Sequence, residues 1–239
     1  WNRVFLFDRI QYQEIVQLNP GHIFHFPLAV NINSKQNIIQ KASSSLRKKY
    51  SSDISFVGSL YSEKCPYDKL TNISDYAKGY LDGIMEAQLK VYGYYFIDET
   101  LTEEIIEEFK QHMPNYYECP LDNFLTDKIT ISQLYIGNKI TALERALTIQ
   151  TLSTYFNTSA LPNVNNRGFA KTLTEMPIIF HESKINLNTT SKPIRSGIPL
   201  RVFDIMGCEG FVLSNYQPEL IELFEPGVDF DYYTSMDEL

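Results

Sequence analysis

Cysteine is the scarcest reactive side chain in this sequence: three residues in 239, Cys65, Cys119 and Cys208, far apart and without a C-x-x-C pair. That excludes a disulfide-stapled scaffold and suits free thiols in a reducing cytoplasm. No apolar run approaches the ~20 residues of a membrane span, and no charged-then-apolar leader is present. Basic residues are outnumbered, 21 Lys and Arg against 29 Asp and Glu for a net charge of −8. The deficit excludes a general nucleic-acid or anionic-membrane binder, which needs a broad cationic face. Internal repeats and low-complexity tracts are also missing. What is present is a core: 44% apolar and 13% aromatic residues, enough for one large domain or two small ones. The chain starts at Trp1 without Met and stops just past Ser235-Met236-Asp237-Glu238, which reads as a piece of something longer.

The hydrophobic period divides the chain into three stretches. Val4 to Asp8 and His22 to Val30 read as strands around an amphipathic segment, a β-α-β remnant, with Asn19-Pro20-Gly21 as a turn. His22 and His25 sit on opposite strand faces with no third ligand nearby and are structural. Asn31 to Ser52 is polar and reads as a linker or a solvated helix. Asp53 to Leu60 is a buried strand ending in Gly58-Ser59, whose loop would face a ligand crevice in an α/β sheet and let a phosphate or sugar approach the backbone. From 74 to 156 the period becomes 3.6, with helices at 74–91, 101–112 and 138–156, a helical insertion. Glu103, Glu104, Glu107 and Glu108 fall on its solvated face, and the Tyr92 to Phe96 cluster reads as core. Beyond 160, short strands and helices alternate: Val164, a helix at 174–182, Ser183 to Asn188, a helix at 199–208, Phe211 to Leu213, a helix at 218–224, and Tyr232-Tyr233. This rhythm predicts an α/β fold with a Rossmann-like parallel sheet.

Charge is concentrated at one junction of that sheet. Between His181 and Val202 stand Lys184, Lys192, Arg195 and Arg201 against the single carboxylate Glu182, whereas Phe203 to Leu239 carries nine acids and no Lys or Arg. A cationic loop leading into a helix start is a place to hold a phosphate. Arg195 and Arg201 are equally able to serve as salt-bridge partners for the acidic tail. Lys184, Asn186 and Asn188 share one strand face.

Ser196-Gly197-Ile198-Pro199, followed after four residues by Asp204, resembles the nucleotide-sugar loop of group 1 glycosyltransferases with the GT-B fold, whose pattern is Glu-Gly-x-Pro, four residues, Glu. Gly207-Cys208-Glu209-Gly210-Phe211-Val212-Leu213 resembles the turn and strand that follow. The likeness extends to the spore maturation protein CgeB-like glycosyltransferases; it covers 160–239 best, then 1–60, and the helical block least. It implies residues 1–31 as the trailing part of an N-terminal domain and 32–239 as the nucleotide-sugar-binding half of a GT-B fold. It also implies a cytoplasmic transferase that takes a nucleotide-diphosphate sugar as donor substrate, with no cofactor and no obligatory metal. Asp204 would bind the ribose hydroxyls. Ser196 stands where the family places an acid that contacts the donor sugar, and Glu209 where relatives carry Gly. Gly197, Arg195 and Arg201 would flank the diphosphate, with Gly58, Ser59, Lys184 and Asn186 around it. The acceptor and the catalytic base would belong to the N-terminal domain, so this piece alone would be inactive. The alternative is a noncatalytic carbohydrate- or protein-binding module on the same half-fold. Between Phe156 and Val164 the family has one more apolar strand, and here only Asn157 to Pro162 remains.

Overall fold

A computed structural model describes residues 2–61, 65–116, 126–156, 164–168, 170 and 173–239. Strand β1 (Val4–Leu6), helix α1 (Arg9–Ile15) and strand β2 (Ile23–His25) make a small parallel β-α-β unit, with Val4 in register with Ile23. Asp8 starts α1 by accepting the Gln11 N–H, the ordinary work of an N-cap carboxylate. The polar stretch that follows is ordered and helical: α2 (Ile32–Lys41), capped by Asn31, and α3 (Ser44–Tyr50), capped by Ser43. Each turns one side to the core, burying Ile39 and Tyr50. Few apolar residues suffice for short helices lying on one face of a sheet, so the sequence there looks more solvated than it is.

The main sheet begins with β3 (Ser52–Phe56). A long helical connection follows: α4 (Asp75–Leu89), α5 (Ile97–Thr100), α6 (Glu103–His112) and α7 (Asp127–Ile129), which runs through a π-helical segment, Thr130–Ile136, into α8 (Gly137–Phe156). These helices have their own core of Leu81, Ile105, Phe109, Ile131 and Ile140, which is why the 3.6-residue period is so plain in the sequence. Then come β4 (Val164–Asn166), α9 (Met176–Glu182), β5 (Ser183–Asn188), α10 (Leu200–Met206), β6 (Val212–Asn215), α11 (Pro218–Leu223) and β7 (Phe230–Tyr233).

The five strands are all parallel and lie in the order β4-β3-β5-β6-β7. Side chains alternate across them. Ile54, Phe56 and Leu187 meet Leu152 of α8 on one face. Val212 and Phe230 join Ile179, Val202 and Leu220 of α9, α10 and α11 on the other. The chain is thus an α/β protein with a Rossmann-like parallel sheet. Its direction of winding reverses between β3 and β5, where a crevice opens beyond the carboxyl ends of the strands. Residues 157–163, where the sequence leaves little room for a further strand, lie outside the described residues.

Candidate functional site

The reversal point carries a cavity of about 380 Å³. Phe56, Gly58 and Ser59 line it from the end of β3, Asn188 to Ser191 from the end of β5, and Pro199 and Arg201 from the start of α10. Helix α8 adds Arg145. Its Nη1 donates to Ser59 O at 2.6 Å and its Nη2 to Thr189 O at 3.0 Å, so one guanidinium bridges the two strand ends. Its Nε is buried and has no partner among the described residues. The Tyr61 ring stands 4.9 Å from this guanidinium. Arg201 packs over the Phe180 ring at 5.3 Å, with Nη1 3.1 Å from Met176 Sδ, and no carboxylate pairs with it among the described residues. Burial lowers the pKa of both arginines; Tyr61 and Glu144 oppose the shift at Arg145, where Arg201 adds to it, and Asp204 opposes it at Arg201. A guanidinium starts so far above neutrality that both stay charged. The site therefore holds two cations with no direct ion pair among the described residues, in a concave, half-apolar setting, a combination that suits an anion with an organic body.

Of the residues expected from the sequence, Gly58, Ser59 and Arg201 line this cavity, and the others are placed elsewhere. Arg195 turns its side chain to Glu14 and to Asp98, at 3.0 Å from the latter. The backbone turn at Arg195, Ser196 and Gly197 points its N–H groups at Asp8 Oδ2, at 2.7, 3.1 and 3.3 Å. Ser196 Oγ donates to Glu219 Oε1 at 2.7 Å and accepts the Ile10 N–H. Asp204 faces α2, where Lys35 Nζ meets Oδ1 at 2.7 Å. Lys184 lies at the amino end of β5, exposed and paired with Asp53, and so at the wrong end of the strand for the cavity. Asn186 is buried in the sheet, accepting from Ser55 Oγ at 2.9 Å and donating to Phe180 O at 3.0 Å. Much of the cationic basin seen in the sequence is therefore neutralised internally.

Two groups of residues escape a reading of the sequence. Arg145 is one turn-face of a long helix, and nothing in its neighbours marks it until the helix is laid against the strand ends. Asp8 ends an apolar strand in plain view, yet its partners lie 187 to 189 residues away. His25 comes within 3.3 Å of Glu219 Oε2, in keeping with a structural role. The sequence contains one Asp-x-Asp, Asp229-Phe230-Asp231. Both carboxylates are exposed at the amino end of β7, opposite to the cavity, and accept the Glu225 and Tyr232 N–H groups. Among the described residues no three His, Cys, Asp or Glu side chains are grouped to hold a metal ion. No helix among them is long and apolar enough to cross a membrane.

No curated protein and no solved structure matches the chain. Residues 139–239, from α8 to the last residue given, match a family model described as glycosyl transferase-like. Every side chain of the cavity from Arg145 onward falls inside that match, so the carboxyl-terminal part of the chain, somewhat less than half of it, is similar to a glycosyl transferase-like domain.

Proposed function

We propose that the cavity between β3 and β5 binds the diphosphate of a nucleotide-diphosphate sugar, and that the chain supplies the donor half of a glycosyltransferase. The observation that carries this reading is the convergence of Arg145 and Arg201 on one cavity at the reversal point of a parallel sheet. Gly58 and Ser59 would let a phosphate approach the backbone. Asp204 lies outside the cavity lining and is held by Lys35, so its assignment to the ribose hydroxyls rests on the sequence motif alone. We further propose that residues 1–31 close an N-terminal domain that brings the acceptor and the base. In support, the β1–β2 sheet leaves Phe5 and Phe26 about 60% exposed, whereas a parallel sheet is ordinarily covered on both faces.

Calorimetry with UDP, GDP, ADP and TDP sugars tests the donor site. One of them binds, Arg145→Met weakens it at least tenfold, and Asp204→Ala discriminates against the ribose-containing ligands relative to inorganic pyrophosphate. Silence across the whole panel removes the reading. A second reading, a noncatalytic carbohydrate- or protein-binding module, is favoured by the Ser196 turn, whose N–H groups already hold Asp8. Donor hydrolysis or transfer by a protein containing this chain would exclude that module.

A further inference from the structure

The segment Thr189-Thr190-Ser191 forms one wall of the cavity and, with Lys192 next to it, contains no large apolar side chain, so burial of hydrophobic surface cannot fix its position. Helix α8 does so with polar groups spaced i, i+3 and i+4, which share one side of a helix. Thr141 Oγ1 lies 2.7 Å from Ser191 Oγ, Glu144 Oε1 lies 3.5 Å from Lys192 Nζ, and Arg145 donates to Thr189 O. One turn earlier, Gly137 lets Pro193 seat against the helix; a Cβ there would come 2.3 Å from Pro193 Cγ. Glu144 also reaches across to β6: Asn215 Nδ2 donates to its Oε1 at 3.3 Å, and Asn215 holds Thr190 by both its N–H and its C=O, at 2.8 and 2.9 Å. Lys192 completes the arrangement, donating to Val91 O at 3.0 Å with its ammonium 3.4 Å from the Tyr92 ring centre.

Stability alone does not call for these charges. Glu144 is fully buried; its Oε2 makes no hydrogen bond of good geometry among the described residues, although the Tyr92 hydroxyl faces the carboxylate and helps to hold its charge. Burial raises the pKa of Glu144 and lowers that of Lys192, so the environment opposes both ionised forms. Apolar residues of the same volume are generally as stable as such a pair, or more so. What the ion pair adds is direction. We infer that Glu144 is a positioning residue for the ligand cavity: through Lys192 and Asn215 it fixes the Thr189–Ser191 wall at the place where a diphosphate held by Arg145 meets it. The inference rests on the nucleotide-sugar reading and assigns Glu144 no contact with the ligand.

The test uses the whole chain and two probes, UDP and GDP, with binding followed by calorimetry and by the ³¹P resonances of the bound diphosphate. Thermal unfolding is recorded alongside. Glu144→Gln and the double variant Glu144→Leu/Lys192→Met are compared with Arg145→Met. The double variant is expected to unfold within a few degrees of the wild type. It nevertheless binds the diphosphate about tenfold more weakly and with displaced ³¹P shifts. A role confined to folding would leave affinity and ³¹P shifts of the folded double variant at wild-type values, and that result overturns the inference even if Glu144→Gln proves too unstable to measure. Loss of binding in Arg145→Met together with normal binding in the double variant leaves the cavity reading standing and removes only Glu144. If the wild type binds neither probe, the comparison is made with ADP and TDP, and silence with all four removes both the cavity reading and the role of Glu144.

Discussion

Asp8 Oδ2 sits 2.7 Å from the amide nitrogen of Arg195, and the next two amides of the same turn, of Ser196 and Gly197, also point at it. A run of backbone N–H groups ahead of a helix is an anion site by construction. Here the anion is the chain's own carboxylate, delivered by the β-α-β unit formed by β1, α1 and β2. This one contact separates two jobs that the sequence alone appears to merge. The Arg195–Gly197 turn fastens the first thirty residues to the main sheet, and the charges left for a ligand are those of Arg145 and Arg201.

Asp8 is accordingly expected to govern the docking of that unit. Its carboxylate is buried, which by itself raises the pKa, but the backbone donors Gln11, Ser196, Gly197 and Arg195 outweigh burial and the net shift is downward. A depressed carboxylate contributes stability above its unfolded value, near 3.8, and that contribution is lost as pH falls through the lower folded value. Asp8→Ala removes the α1 cap and strands the turn's amides, a cost of about 2–4 kcal/mol. Urea unfolding at pH 7 measures the cost, and limited proteolysis around residues 26–31 measures undocking. A variant as stable and as protease-resistant as the wild type, or one with the same acid sensitivity below pH 4, would show that the contact is incidental.

Gly197 is required by the same approach for a steric reason. A Cβ at this position would stand 2.9 Å from Asp8 Cα and from Phe7 O, both of them backbone atoms that cannot swing aside. Gly197→Ala is therefore expected to destabilise the chain by about 1–3 kcal/mol, the range of an overpacked core. If the clash is the cause, Asp8→Ala/Gly197→Ala costs less than the sum of the two single changes, because an undocked segment no longer meets the methyl group. Additive losses in a denaturant double-mutant cycle contradict this account.

How much of this was open to a reading of the sequence depends on the range of the interaction. Period and turn chemistry are local, and they marked the strands at 53–60 and 183–188 and the helices near 74–91, 101–112, 138–156, 199–208 and 218–224 within a few residues of where they lie. The parallel sheet followed from their alternation. The sequence of α2 and α3 reads as a linker or a solvated helix because one buried residue in each, Ile39 and Tyr50, is too little signal against so polar a stretch. The site was harder. Gly58, Ser59 and Arg201 were visible because they sit at strand and helix ends, where ligands gather in such sheets. Arg145 depends on which face of α8 meets the sheet, and the engagement of Arg195 by Glu14 and Asp98 depends on two segments remote in sequence. Neither leaves a local trace.

Glu209 shows where the sequence departs from a backbone preference. It follows α10 with φ of 61°, in the left-handed region that terminates helices and that side chains with a Cβ enter at a cost. A glycine would take up this conformation without that cost. What the glutamate gains in return is one exposed hydrogen bond, from Gln36 Nε2 at 3.2 Å, and such surface contacts are worth only a few tenths of a kcal/mol. Glycine at this position removes the Cβ strain but widens the unfolded ensemble, and strain outweighs that entropy where φ is positive. Glu209→Gly is therefore expected to stabilise the chain by about 1 kcal/mol, a rise of about 2–4 °C in Tm for a chain of this size. Gln36→Ala should leave Tm almost unchanged, which separates loss of the hydrogen bond from relief of strain. A fall in Tm on Glu209→Gly would mean that the Gln36 contact holds α2 against α10 more firmly than its exposure suggests.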